Sequence, residues 1–363
     1  TSVRRIKRVV LDETCTPVEV EADLSPAFEK MVDEIVTNAI DHKVRDPKMT
    51  ELKISIERDG LIIVVNNGSK CIPTGTWGET GRHIPEILFT ELSAGSNLGH
   101  TNAHNVGGRN GVGASVTNIL SDKFVLNIWN AEDKVHYEQV FEKNAGTINP
   151  PRITKFSNKT SSVSVSFMAD FARLNMPPAM TDGVRKLLIG RAVDAAACTS
   201  ATVHVNGTKV PLKTFQAYAT AFGGTLIGSD KTGGSGDDNT LGATVIVTDQ
   251  MSPPQQTCFV NGVRCTGTLL QAVMNNIGDG MSVKKVLPER QIKAILGECV
   301  SIFVTARINM PNWTGQTKDV LDTPVSKFGF VVPSCKTLAK RVEALDVVKA
   351  QVEARRSLSE GKA

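Results

Sequence analysis

Glu34, Asn38 and Asp41 fall at i, i+4 and i+7 of a predicted helix, a spacing that places all three on one face. The flanking residues Met31, Ile35 and Ile40 are apolar, which restricts the freedom of the polar groups between them. Next to a bound triphosphate, a carboxylate can orient and deprotonate water. An amide oxygen one turn away can complete the shell of a magnesium ion held mostly by phosphates and waters. A plain solvated helix face has the same composition, so spacing alone leaves both readings open.

Three further stretches carry the same ambiguity. The run Gly107-Gly108-Arg109-Asn110-Gly111-Val112-Gly113-Ala114 has four glycines in seven residues and leads into a helical pattern over 114–120. A glycine-rich loop entering a helix N-terminus converges backbone N–H groups on an anion; a simple turn uses the same residues. Asn66-Asn67-Gly68 closes a predicted strand, where a short polar side chain can bond a base edge or merely end the strand. Gln316-Thr317-Lys318 lies in a polar loop after Pro311. A lysine there can reach a terminal phosphate as a point charge or sit on the surface.

The elements that must position these groups follow from pattern and punctuation. Strands are predicted over 3–10 and 16–22, then a helix opened by Ser25-Pro26 and stopped before Pro47. Two strands, 52–57 and 61–66, flank Asp59-Gly60, a hairpin signal. A loop over 67–83, a short helix from Pro85 to about Leu92 and a polar loop over 93–113 lead to strands at 122–130, 134–142, 151–156 and 161–168. A helix over 180–198 and a strand over 201–205, ending at Asn206-Gly207, complete an α+β sandwich with helices on one face of a largely antiparallel sheet. Residues 228–242 read as a hairpin loop or linker. Beyond them come strands at 243–248 and 257–260, helices at 266–277 and 289–296, and a strand at 299–308. Leu338, Val342, Leu345, Val348 and Val352 predict one long helix over 334–358.

The 363 residues suggest two domains. With 40% hydrophobic and 21% charged residues the composition is that of a globular protein. A net charge of +4 does not by itself announce a nucleic-acid binder. Seven cysteines, none in a CxxC pair, read as reduced thiols inside a cell. No apolar run reaches membrane-spanning length. The chain opens at Thr1 within a strand pattern, so a piece of a larger protein is expected.

In order, Glu34-xxx-Asn38-xx-Asp41, Asn66-Asn67-Gly68, Gly95-Ser96-Asn97, the Gly107 to Gly113 run and Gln316-Thr317-Lys318 resemble the ATPase region of type IIA DNA topoisomerases, of eukaryotic or large-DNA-virus type. Phe259-Val260-Asn261-Gly262 and the stretch 286–293 resemble landmarks of the second, transducer domain. The resemblance implies a GHKL (Bergerat) ATP-binding α/β sandwich over 1–222. It implies a transducer domain of ribosomal-protein-like α/β fold with a long C-terminal helix over 223–363.

By that resemblance Glu34 is the general base and Asn38 the magnesium ligand. Asp41 stands beside the nucleotide, Arg45 on its phosphate side, Asn67 at the adenine and Ser166 behind it. Ser96 and Asn97 contact ribose and phosphate, while Arg109, Asn110, Gly111, Val112 and Gly113 cradle the phosphates. Gln316 and Lys318 reach the γ-phosphate. The resemblance implies ATP and Mg2+ as cofactors, double-stranded DNA as partner of the full enzyme and self-association on ATP binding. It implies a nuclear location, or a viral factory in the host cytoplasm, and no membrane. The other readings are a mismatch-repair-type clamp, against which the Gln-Thr-Lys loop speaks, and an ATP-binding DNA clamp that turns over negligibly.

Some positions depart from the family pattern. Ser115 stands where a lysine is common, and His42 where an asparagine is. The strap that precedes the first strand in relatives is not among these residues, nor are the domains that cut DNA. His100 and His104 have metal-like spacing, but in a loop that spacing does not align two rings, and no zinc is expected. Lys336, Lys340 and Arg341 read either as a DNA-facing patch inside a clamp or as a solvated face, the second being favoured.

Overall fold

The computed structural model describes residues 2–92, 112–233, 240–249 and 253–360. It divides into two compact units, Thr1–Leu212 and Lys213–Ala363.

The first unit begins with an antiparallel hairpin, β1 (Arg4–Leu11) and β2 (Pro17–Leu24). Helix α1 (Pro26–Arg45) follows. Ser25 stays extended at its N-cap and Pro26 supplies a preset φ at the first turn. Asp46 leaves the helix one residue before Pro47, where proline disfavours helical backbone in its predecessor. Strands β3 (Glu51–Ile56) and β4 (Leu61–Gly68) pair across the Asp59-Gly60 turn, in which Gly60 takes φ +98°.

Helices α2 (Ile84–Thr90) and α3 (Gly113–Ile119) precede β5 (Ser121–Asn130), β6 (Val135–Glu142), β7 (Thr147–Ile148), β8 (Arg152–Lys155) and β9 (Ser161–Ala169). Helix α4 (Asp182–Asp194) then leads to β10 (Thr202–Val205) and β11 (Thr208–Lys209). The nine-stranded sheet runs β11-β10-β3-β4-β9-β5-β6-β7, with β8 also on β6, and is antiparallel except where β10 joins β3. Phe28, Val32, Val36 and Ile40 of α1 are fully buried, as are Leu52, Ile56 and Ile62 of the sheet. Burial of this apolar layer supplies the main favourable term for the unit.

The second unit starts earlier than position 222. Helix α5 (Phe215–Ala221) packs Tyr218 against Phe259 and Phe303, with ring centroids 5.8 and 6.2 Å apart, which commits it to this unit. Strands β12 (Leu226–Gly233) and β13 (Gly242–Thr248) occupy much of the stretch expected to be loop. Residues 228–233 of β12 pair one for one with β13, and that ladder outweighs the local glycine content. A hairpin of β14 (Gln256–Val260) and β15 (Val263–Gly267) turns at Asn261-Gly262, both at positive φ. Helices α6 (Thr268–Gly280) and α7 (Glu289–Cys299) and strands β16 (Ser301–Arg307) and β17 (Val320–Leu321) complete a sheet ordered β12-β13-β16-β14-β15-β17.

The predicted single C-terminal helix is two, α8 (Lys336–Glu343) and α9 (Asp346–Glu360). At the break Leu345 N–H donates to Val342 rather than to the i−4 carbonyl, and Glu343 accepts from Ser282 and Val283. The apolar stripe continues across the break, with Leu338, Val342 and Val348 buried, so periodicity alone did not reveal it. All seven cysteines are free thiols. No described helix is long and apolar enough to cross a membrane.

Candidate functional site

Helix α1 presents Glu34 and Asn38 one turn apart. Glu34 is buried, 8% exposed, and its Oε1 lies 3.2 Å from Lys30 Nζ. Its other oxygen faces Gly113, where a Cβ would stand 2.2 Å from Oε2. Only glycine therefore lets the first turn of α3 close on this carboxylate. Lys30 escaped the sequence reading, although its i, i+4 spacing to Glu34 was a usable signal. Asn38 is half-buried, and among the described residues no hydrogen bond engages its side chain.

The remaining α1 residues divide. Asp41 is fully enclosed, and its carbonyl accepts from Arg45 Nε at 3.3 Å. Arg45 is exposed and lies about 16 Å beyond Glu34 at a rise of 1.5 Å per residue. It stands where α1 meets Gly68, whose absent Cβ would fall 2.8 Å from His42 Nε2 and 2.4 Å from Asp46 Oδ2. Burial, then the Arg45 charge, hold the His42 pKa below its ordinary 6.5 against the opposing pull of Asp46. Burial works to raise the Asp46 pKa, but hydrogen bonds from Lys70 N–H, the Ser69 hydroxyl and N–H, and Lys48 N–H keep it below the usual value.

On β4 the side chains alternate. Ile62, Val64, Asn66 and Gly68 are buried on the face toward α1, whereas Ile63, Val65 and Asn67 lie on the other. Asn67 is spent on the start of β3: its Oδ1 accepts from Thr50 and Glu51 N–H at 2.9 Å, and its Nδ2 donates to Thr50 Oγ1 at 2.8 Å. The inner-face asparagine is Asn66, 8% exposed and with no side-chain hydrogen bond among the described residues. The expectation for Asn67 is corrected by one residue, because neighbours on a strand face opposite ways.

Ser166 needs the same correction. It pairs with Ile63 and Val125 on the outer face. The β9 residue in register with Asn66 is Val163, which pairs on its far side with Ile128.

Of the glycine-rich run, Val112 and Gly113 are described; Ser96, Asn97, Arg109, Asn110 and Gly111 lie outside the described residues, as do His100 and His104. Ser115, which stands where a lysine is common, is fully buried, and its hydroxyl donates to Val112 O at 3.0 Å. Asn118 Nδ2 donates to Phe89 O at 3.0 Å and ties α3 to α2.

Gln316 and Lys318 belong to the second unit; Gln316 is exposed, whereas Lys318 is buried at φ +57°. Lys336, Lys340 and Arg341 are exposed, with Arg341 donating to Ile227 O at 3.0 Å. Among the described residues no group of three His, Cys, Asp or Glu is placed to hold a metal.

No protein-family model matches the chain. It is 31% identical over 339 residues to DNA topoisomerase 2 of Arabidopsis thaliana, covering 89% of this chain and 23% of that protein. It is 28% identical over 337 residues to DNA topoisomerase 2 of Saccharomyces cerevisiae, covering 88% and 24%. The chain thus spans less than a quarter of the length of these relatives. Its fold is similar to the ATPase region of Saccharomyces cerevisiae topoisomerase II, with a TM-score of 0.85 and 27% identity over 97% of this chain and 93% of that one. It is also similar to the ATPase and transducer domains of DNA topoisomerase II from Balamuthia mandrillaris, with a TM-score of 0.82 and 27% identity over 98% and 93%. These likenesses lend no support to a mismatch-repair-type clamp.

Proposed function

As a homologue of DNA topoisomerase II over its ATPase region, this chain, we propose, binds and hydrolyses ATP as the nucleotide-operated gate of a type II topoisomerase. The observation that carries the reading is the Glu34 carboxylate, buried one turn from an uncommitted Asn38 and closed over by Gly113 at the end of the glycine-rich run. In this reading the first unit is the GHKL ATP-binding domain and the second the transducer.

Glu34 takes the proton from the attacking water, and Lys30 fixes the carboxylate that does so. Asn66 reads the base from the inner face of the sheet. The glycine-rich run cradles the phosphates with backbone N–H groups. One half-exposed amide oxygen, on Asn38, fits a magnesium ion whose other ligands are phosphate oxygens and water. When bound, that ion would neutralise charge on the triphosphate. Gln316 and Lys318 are proposed, by the resemblance, as γ-phosphate ligands, a tie that lasts only while that phosphate remains. Self-association on ATP and passage of double-stranded DNA are the proposed consequences in the full enzyme.

Steady-state turnover and ATP binding of Glu34→Gln test the reading. Turnover is expected to fall about a hundredfold or more, as for loss of a general base, with binding retained. Lys318→Ala is expected to lower turnover as well. Wild-type turnover in both variants would refute the proposal. Sedimentation with a non-hydrolysable ATP analogue checks self-association.

A further inference from the structure

Within the proposed ATP site, we propose that the base is read by a single amide, Asn66, against an apolar wall formed by Val163. The site therefore accepts 6-oxo purine nucleoside triphosphates nearly as well as 6-amino ones. The inference rests on the nucleotide-binding reading above and adds to it the breadth of substrate.

The register of the sheet shows how little polar chemistry surrounds that position. Leu52, Asn66, Val163 and Ile128 stand side by side on β3, β4, β9 and β5. The next row toward the core is Ile54, Val64, Val165 and Leu126. In the row on the other side, Gly68 is paired with Ser161, whose hydroxyl already accepts from Ala131 N–H at 3.0 Å. Among the described strand residues of this inner face, Asn66 is thus the polar side chain without a hydrogen bond; across the layer α1 brings Asn38 and His42, whose Nε2 is buried without a hydrogen-bond partner.

Exposure marks where the face opens. Val163 is half-buried, although Val64, Val165 and Ile128 around it are 3%, 6% and 0% exposed. An opening in an otherwise sealed layer, directly beside an unpartnered amide, is where a planar base can lie.

The chemistry of the amide sets the breadth. A carboxylate only accepts, so in its place it would select the exocyclic amine of a 6-amino purine. An amide offers an acceptor on one side and a donor on the other, and a half-turn of its terminal torsion exchanges them. A neighbouring hydroxyl would fix that orientation. Ser166 is on the opposite face, and Val163 has no hydroxyl. Asn66 can therefore accept from a 6-amino group or donate to a 6-oxo group. A site with a fixed donor–acceptor pattern rejects the wrong partner by orders of magnitude, because a buried polar group is left unpaired. This site is not fixed in that way.

Competition binding of ATP and inosine triphosphate to the 363-residue chain tests the proposal. The wild type is expected to bind the two within about threefold, and Asn66→Asp to disfavour inosine triphosphate by about tenfold or more. Val163→Thr is expected to widen the ratio in one direction by restraining the amide. Asn66→Ala is expected to weaken both ligands together. A wild-type preference for ATP of about a hundredfold would overturn the proposal while leaving the ATP site intact. Unchanged binding of both ligands by Asn66→Ala would overturn the reading of Asn66 as the base contact. No binding of either nucleotide by the folded wild type would refute the nucleotide site itself.

Discussion

Helix α1 and strand β4 each bring an asparagine to the layer between helix and sheet, but they hold it differently. Asn38 sits on a graded helical face: Glu34 before it is buried, and His42 after it is half-buried. Asn66 sits on a strand where the choice is binary, since its neighbour Asn67 is turned fully to the other side and bonded there. A one-residue slip on a helix rotates a side chain by about 100°, whereas on a strand it reverses the face.

The largest effect is expected on the helical side, from Gly113→Ala. The new Cβ would fall 2.2, 2.6 and 2.7 Å from Glu34 Oε2, Cδ and Cγ, so this buried side chain must leave its place. Turnover is expected to drop about a hundredfold while the thermal midpoint barely moves, because a misplacement of about 1 Å is that costly to a reacting group. A large loss of stability instead would make the glycine a packing residue only.

On the strand, Asn66→Ala and Asn67→Ala should separate cleanly. The first is expected to weaken nucleotide binding about tenfold with little change in unfolding. The second strips Thr50 and Glu51 N–H of their acceptor and is expected to cost about 1 kcal/mol in denaturant unfolding, since water reaches a half-exposed site, with binding unchanged. Equal effects from the two would erase the distinction between the faces.

Lys30→Met removes a cationic partner of the Glu34 carboxylate at 3.2 Å. The expected result is a severalfold lower kcat with KM unchanged, recovered by Lys30→Arg; a change in KM alone would contradict a positioning role.

The smallest effect concerns pH. His42 has a folded pKa below its ordinary 6.5, under burial and the charges of Arg45 and Lys70, with Asp46 opposing. Above pH 6.5 both folded and unfolded chains carry it neutral, so it contributes nothing there. As pH falls from 6.5 toward the folded pKa, the unfolded chain takes up a proton that the folded one refuses, and stability drops. Asp46 acts lower down: its contribution is full above the unfolded value of 3.8 and is lost as pH falls further. Melting scans between pH 7.5 and pH 5.5 are expected to show a decline in the wild type that is reduced in His42→Gln.

The legible parts of the fold were those with strong local punctuation. Ser25-Pro26, Pro47 and Asp59-Gly60 marked α1 and the β3–β4 hairpin closely. The placement of Glu34 and Asn38 one turn apart on α1 was legible because helical spacing is explicit in sequence. Asn67 and Ser166 misled because two identical asparagines, and a serine repeated at 162, 164 and 166, give no sign of which parity faces inward. Only pairing with β3 and β5 decides that. Glycine content hid β12, whose order comes from the β13 ladder, and an unbroken apolar stripe hid the step between α8 and α9.

A crystal structure of the chain with magnesium and a non-hydrolysable ATP analogue tests the central claim most directly. The account predicts the terminal phosphate beside Glu34 and Asn38, and the base edge within hydrogen-bond distance of the Asn66 amide, against Val163. A base on the Asn67 and Ser166 face, or a triphosphate away from Glu34, would contradict it.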